Sequence, residues 1–199
     1  LDKFLRYSID LFIRPRVALR GLLGDSRRVG FGFLGHLILA VVYFIGISAA
    51  LGMNAAHLPE FLVLDIPAEH YYTYEQFFIL PVALAGTILT AGAIRLAARG
   101  WTGKGNFEDL FALLGFSLIE VAAVIGLPDL VISLLVGTGI IPSLGWGFIW
   151  PHVWLGTLWY LLLMLLAVKE LERLSWWKSL VLALIGFGVN GTVQFIFIR

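Results

Sequence analysis

Five stretches of the chain stay apolar for about 20 residues or more, the length an α-helix needs to cross a bilayer. They fall near residues 29–53, 74–99, 107–136, 150–168 and 177–198. The connections between them are short, so the pattern predicts an all-α integral membrane protein, one compact bundle of five transmembrane helices without a separate soluble domain. Residues 1–28 follow a different rule. Phe4, Leu5, Ile9, Phe12 and Ile13 recur at helical spacing among basic residues, and Arg14-Pro15 interrupts the repeat. This segment is too polar to span. It is expected as an amphipathic helix at the membrane interface, basic side toward anionic headgroups, with packing on the base of the bundle as the alternative.

Composition supports the bilayer as solvent. Hydrophobic residues make up 60% of the 199 and charged residues 14%, against about a quarter charged in soluble domains. There is no cysteine, which excludes disulfides, thiol chemistry and cysteine-based metal sites. The basic amino-terminal stretch lacks the features of a cleaved signal peptide.

Charge placement predicts the orientation. Of the 14 Lys and Arg residues, 13 lie before the first span or around the turns after the second and fourth; only Arg199 lies at the other end. Basic residues near span ends favour the cytoplasmic side, so the amino terminus is expected inside and the carboxyl terminus outside, in the plasma or inner membrane of the cell. Trp101, Trp176 and Trp177 would mark the inner boundary, and Trp146, Trp150 and Trp154 the outer one.

Small residues predict how the spans pack, because helices in lipid associate through close contact and a few polar bridges. Gly86, Thr90, Ala93 and Ala97 share a face of span two. Gly32, His36, Ala40, Tyr43, Gly46 and Ala50 share one of span one, and Gly186, Asn190 and Gln194 one of span five.

Ionisable groups inside a span are expensive and are default candidates for function. Here they are His36, Glu120 and Asp129, with His152 at the outer boundary. At a rise of about 1.5 Å per residue, Glu120 falls near mid-membrane. No Lys or Arg lies deep in another span to pair with it. Three readings stand: a neutral carboxyl bonding a neighbouring helix, the titrating or ion-binding group of a hydrated cavity, or a group at an oligomer seam. Asp129 follows a Gly126-x-Pro128 break and is expected to cap a short outer helix; broken helices also form transporter sites. Asn190, Gln194 and His152 fall at depths compatible with meeting Asp129 in a small polar cluster.

The loop before span two gathers His57, Glu60, Asp65, Glu69, His70 and Glu75. Carboxylates with imidazoles suit divalent metals, although no fixed ligand spacing is present. Nucleophile elbows, phosphate loops, dinucleotide fingerprints and zincin motifs are absent. No enzyme activity, cofactor or nucleic-acid partner is therefore expected.

After span two the chain reads WTGKGNFEDLFALLGFSLIE, residues 101–120. Asn106 suits a helix N-cap, with Asp109 three residues on. The stretch resembles the Yip family of five-span membrane proteins, named for interacting with Ypt/Rab GTPases. Gly103, Lys104 and Gly105 stand at that family's turn, and Gly115 and Phe116 in its third-span element. Phe116 replaces the usual tyrosine, Glu120 falls about where proline is expected, and the Asp-Leu-x-Gly-Pro element of eukaryotic members is missing. The chain looks most like the short prokaryotic relatives. The first expectation is a non-enzymatic membrane protein of the Yip type that organises the lipid bilayer, a membrane-protein partner or a homo-oligomer through its inner face and small-residue seams. In that reading Glu120→Gln is nearly silent and Glu120→Leu loses some stability. The alternative is a small ion, proton or solute transporter or channel using Glu120.

Overall fold

The computed structural model describes residues 2–53, 63–141 and 146–198, with side chains from 151 onward in the last segment. The described residues are helical apart from turns. Two short helices come first, α1 (Asp2–Ile13) and α2 (Pro15–Leu23). Pro15 opens α2, where its missing N–H costs nothing and its fixed φ suits the first turn. The expected break at Arg14-Pro15 is therefore a helix boundary.

Five spans follow. They are α3 (Arg28–Gly52), α4 (Ala68–Arg99), α5 (Phe107–Val121) continuing into α6 (Leu127–Gly137), α7 (Trp146–Glu172) and α8 (Trp176–Phe197). All five are long and apolar enough to cross a membrane. Their bounds match the hydrophobic pattern except where polar helix extends past the apolar core. Thus α4 begins six residues early, and its extra turn is tied down by the Tyr71 hydroxyl donating to the Phe197 carbonyl at 2.9 Å. Glu75 consequently lies buried within a helix and not in a loop.

The spans form a ring in the order α3, α4, α8, α7, α5 and back to α3, with α5 also touching α4. α5 is the central helix. Leu110 and every residue from Ala112 to Glu120 are buried. A main apolar core runs from Leu39 and Ile94 through Leu114 and Leu118 to Met164 and Leu182. A second lies beneath α1 and α2, where Phe4, Leu11, Leu19 and Leu22 pack on Leu113, Phe116 and Leu163.

The amino-terminal helices thus pack on the base of the bundle while keeping an apolar outer face. Leu5, Ile9, Phe12, Ile13 and Val17 stay exposed, Ile13 to 69%. Trp176 and Trp177 are exposed at the same end, as interfacial rings would be. We call this the basic end.

Helix seams use the small residues, with some changes of register. The closest approach is α3 on α5. A Cβ on Gly35 would strike the Gly115 carbonyl, and one on Gly32 would lie 2.8 Å from the Ala112 backbone. On α4 the seam to α8 runs through Gly86 and Thr90, whose hydroxyl donates to the Gly186 carbonyl at 3.4 Å. Ala93 and Ala97 are only half-buried, displaced from the seam by Ala91, Ile94 and Ala98.

Candidate functional site

Glu120 sits one residue before the end of α5, fully buried. Helices α3, α4 and α7 surround α5 at this depth, which explains the burial. Neither carboxyl oxygen has a hydrogen-bond partner among the described residues. The interhelical hydrogen bond expected of Glu120 is therefore not formed.

The chain then passes through a π-helical turn, Ala122–Gly126, and continues directly as α6. Pro128 has no N–H and would crowd the carbonyl four residues back in an α-helix. A π-turn shifts the ladder by one residue: the Leu127 N–H bonds the Ala122 carbonyl. Gly126 remains in right-handed helical geometry and makes no room for a break. Its lack of a side chain instead admits Val42 and Tyr43 of α3, since a Cβ there would lie 2.7 Å from Val42 Cγ1. The expected broken helix is thus a continuous, π-bulged one, and Asp129 caps nothing.

Asp129 bonds His152 of α7 instead, Oδ1 to Nε2 at 2.7 Å. The expected four-residue cluster divides in two. Asn190 and Gln194 line a separate cavity of about 240 Å³ with Tyr43, Thr157 and Tyr160. Leu118 and Val121, on either side of Glu120 in sequence, also line it.

His36 is a seam residue. Its Nδ1 lies 2.9 Å from the Gly32 carbonyl and its Nε2 2.9 Å from the Thr87 hydroxyl. A carbonyl only accepts, so Nδ1 carries the proton and the Thr87 hydroxyl donates to Nε2. The ring stacks on Phe111 and fills the space above Gly115. Both nitrogens are satisfied, so His36 joins α3, α4 and α5.

The loop that suggested a metal does not assemble one among the described residues, where no three His, Asp or Glu side chains converge. Glu69 and His70 lie in the first turn of α4, while Asp65 precedes it. His57 and Glu60 lie outside the described residues.

The basic end holds the densest polar construction, centred on a residue the sequence pattern did not single out. Glu172, the last residue of α7, is buried. Arg95 Nη1 donates to both its carboxylate oxygens at 2.6 Å. The Gly105 N–H donates to Oε2 at 3.0 Å. A Cβ on Gly103 would strike that carboxylate, and one on Gly105 would lie 2.6 Å from Leu171. Gly103-Lys104-Gly105 is therefore a collar around a buried carboxylate, joining α4, α5 and α7. The signal available in the sequence was Glu172 closing one span on the side where Arg95 closes another.

Other carboxylates at this end repeat the pattern. Glu170 accepts from Arg16 Nε at 2.9 Å and Arg20 Nε at 2.6 Å, pinning α2 to α7. Arg28 of α3 pairs with Asp109 of α5. Asp109 in turn completes the cap with Asn106, its N–H donating to Asn106 Oδ1 at 2.7 Å. In the α2–α3 turn, Asp25 accepts from the Arg27 N–H at 3.0 Å and lies 3.4 Å from Lys3. That backbone N–H is the main reason its carboxyl is held below its ordinary value, against the opposing effect of burial; the Arg27 side chain and Lys3 add to it.

Phe116 lies fully buried, its ring edge-on to Phe4 with centroids 5.6 Å apart. Its cluster is built mainly of aliphatic and aromatic side chains, among them Leu11, Leu113 and Leu163, which suits a ring without a hydroxyl.

Five apolar helices in a closed ring, held at one end by arginine–carboxylate pairs and a glycine collar, define a compact multispan membrane protein. The family model of the Yip1 domain matches residues 9–198, so the chain belongs to the Yip family. No curated protein and no solved structure matches it.

Proposed function

We propose that the protein is a non-enzymatic organiser of membrane, inserted with its basic end on the cytoplasmic side of the plasma or inner membrane. The observation that carries this reading is the fixed apolar stripe of α1 and α2. The Glu170 pairs with Arg16 and Arg20 hold α2 across the base of the bundle, and Leu5, Ile9, Phe12, Ile13 and Val17 then face outward at the basic end. A helix held in that position inserts its apolar face at the headgroup boundary. A membrane-protein partner or a second copy would dock on the lipid-facing spans.

The absence of cysteine makes the test direct. A spin label at Ile9→Cys in proteoliposomes should be accessible to lipid-dissolved oxygen and shielded from an aqueous nickel chelate. The double change Ile9→Asp with Ile13→Asp should leave folding intact and abolish any effect of the protein on vesicle size. A label open to the aqueous reagent, or unchanged vesicles, would reject the reading.

A second reading, transport of a proton, cation or small solute, draws on Glu120, which has no hydrogen bond among the described residues, and on the cavity with polar groups that its neighbours Leu118 and Val121 line. It requires flux across proteoliposomes that Glu120→Gln abolishes at unchanged folding. Absence of flux with any monovalent cation would set it aside.

A further inference from the structure

At the basic end, α2, the last turn of α7 and the residue after it line an open cavity of about 430 Å³, formed by Arg16, Arg20, Leu23, Lys169, Glu170 and Arg173. Four cations face one carboxylate there, an excess of three positive charges. Glu170 organises the cations without exhausting them. It takes one N–H of Arg16 and two of Arg20, while a guanidinium carries five. The remaining donors are thereby held in place around the cavity, as they must be to bind an anion without a large ordering cost. Lys169 is positioned too, its ammonium donating to the Leu174 carbonyl and lying 5.6 Å from the Trp176 ring centre.

Arg173 adds an independent observation. Its φ is +55°, in the left-handed region that disfavours side chains other than glycine. It is exposed and makes no ion pair or hydrogen bond among the described residues. It stands directly after the last residue of α7, where a left-handed residue commonly closes a helix and glycine takes that conformation at lower cost.

We propose that this cavity binds the phosphate of an anionic lipid headgroup, with Arg173 and Lys169 as the groups that contact it and Arg16 and Arg20 as a fixed basic wall. Trp176 favours a lipid over a soluble phosphate. It is half exposed beside the cavity, with Arg16 5.3 Å from its ring centre, and interfacial tryptophans sit at headgroup depth. The proposal rests on the reading that the basic end faces an anionic leaflet. Its test is made in detergent micelles, where orientation has no part, so the two can fail separately.

The test is native mass spectrometry of the full chain in detergent, with phosphatidylglycerol or phosphatidylcholine added at equal concentration. One phosphatidylglycerol should be retained in preference to phosphatidylcholine. Lys169→Gln with Arg173→Gln should weaken that retention about tenfold, since each cation near a headgroup phosphate contributes severalfold. Arg173→Gly separates binding from folding. It relieves the left-handed strain, so it should unfold no earlier than wild type while losing lipid, and it keeps the test open if the double variant does not fold. Equal retention of the two lipids, or undiminished retention by a folded Arg173→Gly, overturns the proposal. Displacement of phosphatidylglycerol by inorganic phosphate in modest excess would assign the cavity to a soluble anion and overturn the lipid assignment.

Discussion

Glu120 and Glu172 are both buried carboxyls on neighbouring helices, and they live in opposite circumstances. Glu172 is met by an arginine and a backbone N–H, with two glycines cleared away to let the turn close around it. Glu120 lies near the end of α5, fully buried, with no hydrogen bond among the described residues. The contrast separates a carboxylate the fold requires from one the fold tolerates. Burial alone would have ranked them equal.

The largest expected effect comes from taking away the partner of Glu172. Arg95→Leu leaves a buried carboxylate uncompensated and should cost about 3–5 kcal/mol. Thermal unfolding in detergent would show it, or the yield of monodisperse protein would collapse. A loss under about 1 kcal/mol, the range of a solvated surface pair, would break the comparison by making Glu172 an ordinary surface group.

A second test concerns the glycine seam between α3 and α5. Gly35→Ala drives a methyl into the Gly115 backbone, which cannot rotate away as a side chain can. A loss of about 1–3 kcal/mol is expected from overpacking. Gly30→Ala, with nothing within 4 Å of its new methyl, should be neutral or slightly stabilising. Equal effects in unfolding temperature would mean the α3–α5 contact is looser than described.

Phe116→Tyr probes the same helix more gently. The hydroxyl would enter an apolar cluster, and without a partner it should cost about 1–3 kcal/mol. An unchanged unfolding temperature would show a polar route beneath α1.

The smallest effect is a pH dependence at the basic end. Asp25 has a carboxyl held below its ordinary 3.8 by the Arg27 N–H. A depressed value contributes stability that is present above the unfolded value and is lost as pH falls through the lower folded one. Hydrogen-exchange protection in the α2–α3 turn, taken relative to the intrinsic exchange rate at each pH, should therefore hold near neutral pH and fall below about pH 4. In Asp25→Asn that acid-dependent step should disappear.

The spans, their number and their bounds were legible because the bilayer imposes length and hydrophobicity on each helix separately. The seam residues Gly32, His36, Gly86 and Gly186 were legible from spacing on one face. Contacts between chain-distant polar groups were not. Asp129 finding His152, and Glu172 finding Arg95, depend on which spans become neighbours, and a single sequence carries no direct sign of that. The π-turn was hidden for a different reason. Gly-x-Pro reports that the α-helical ladder is interrupted at Pro128, but a break and a one-residue shift of the ladder satisfy that signal equally well. The shift keeps α5 packed on α3 and α7 and α6 packed on α3, and tertiary contact chose it.

Glu120 also shows how geometry reverses an expectation. Were the carboxyl bonded across helices, leucine in its place would lose stability. With neither oxygen bonded among the described residues, leucine removes an unsatisfied buried group and should gain about 1–3 kcal/mol.

The most direct test compares Glu120→Leu and Glu172→Leu side by side, measuring thermal unfolding of each in one detergent. The account predicts opposite signs: Glu172→Leu unfolds well below the parent protein, because Arg95 and the Gly105 N–H lose their acceptor, and Glu120→Leu unfolds at the same temperature or higher. A Glu120→Leu protein destabilised as severely as Glu172→Leu would contradict the account and make Glu120 a bonded part of the frame.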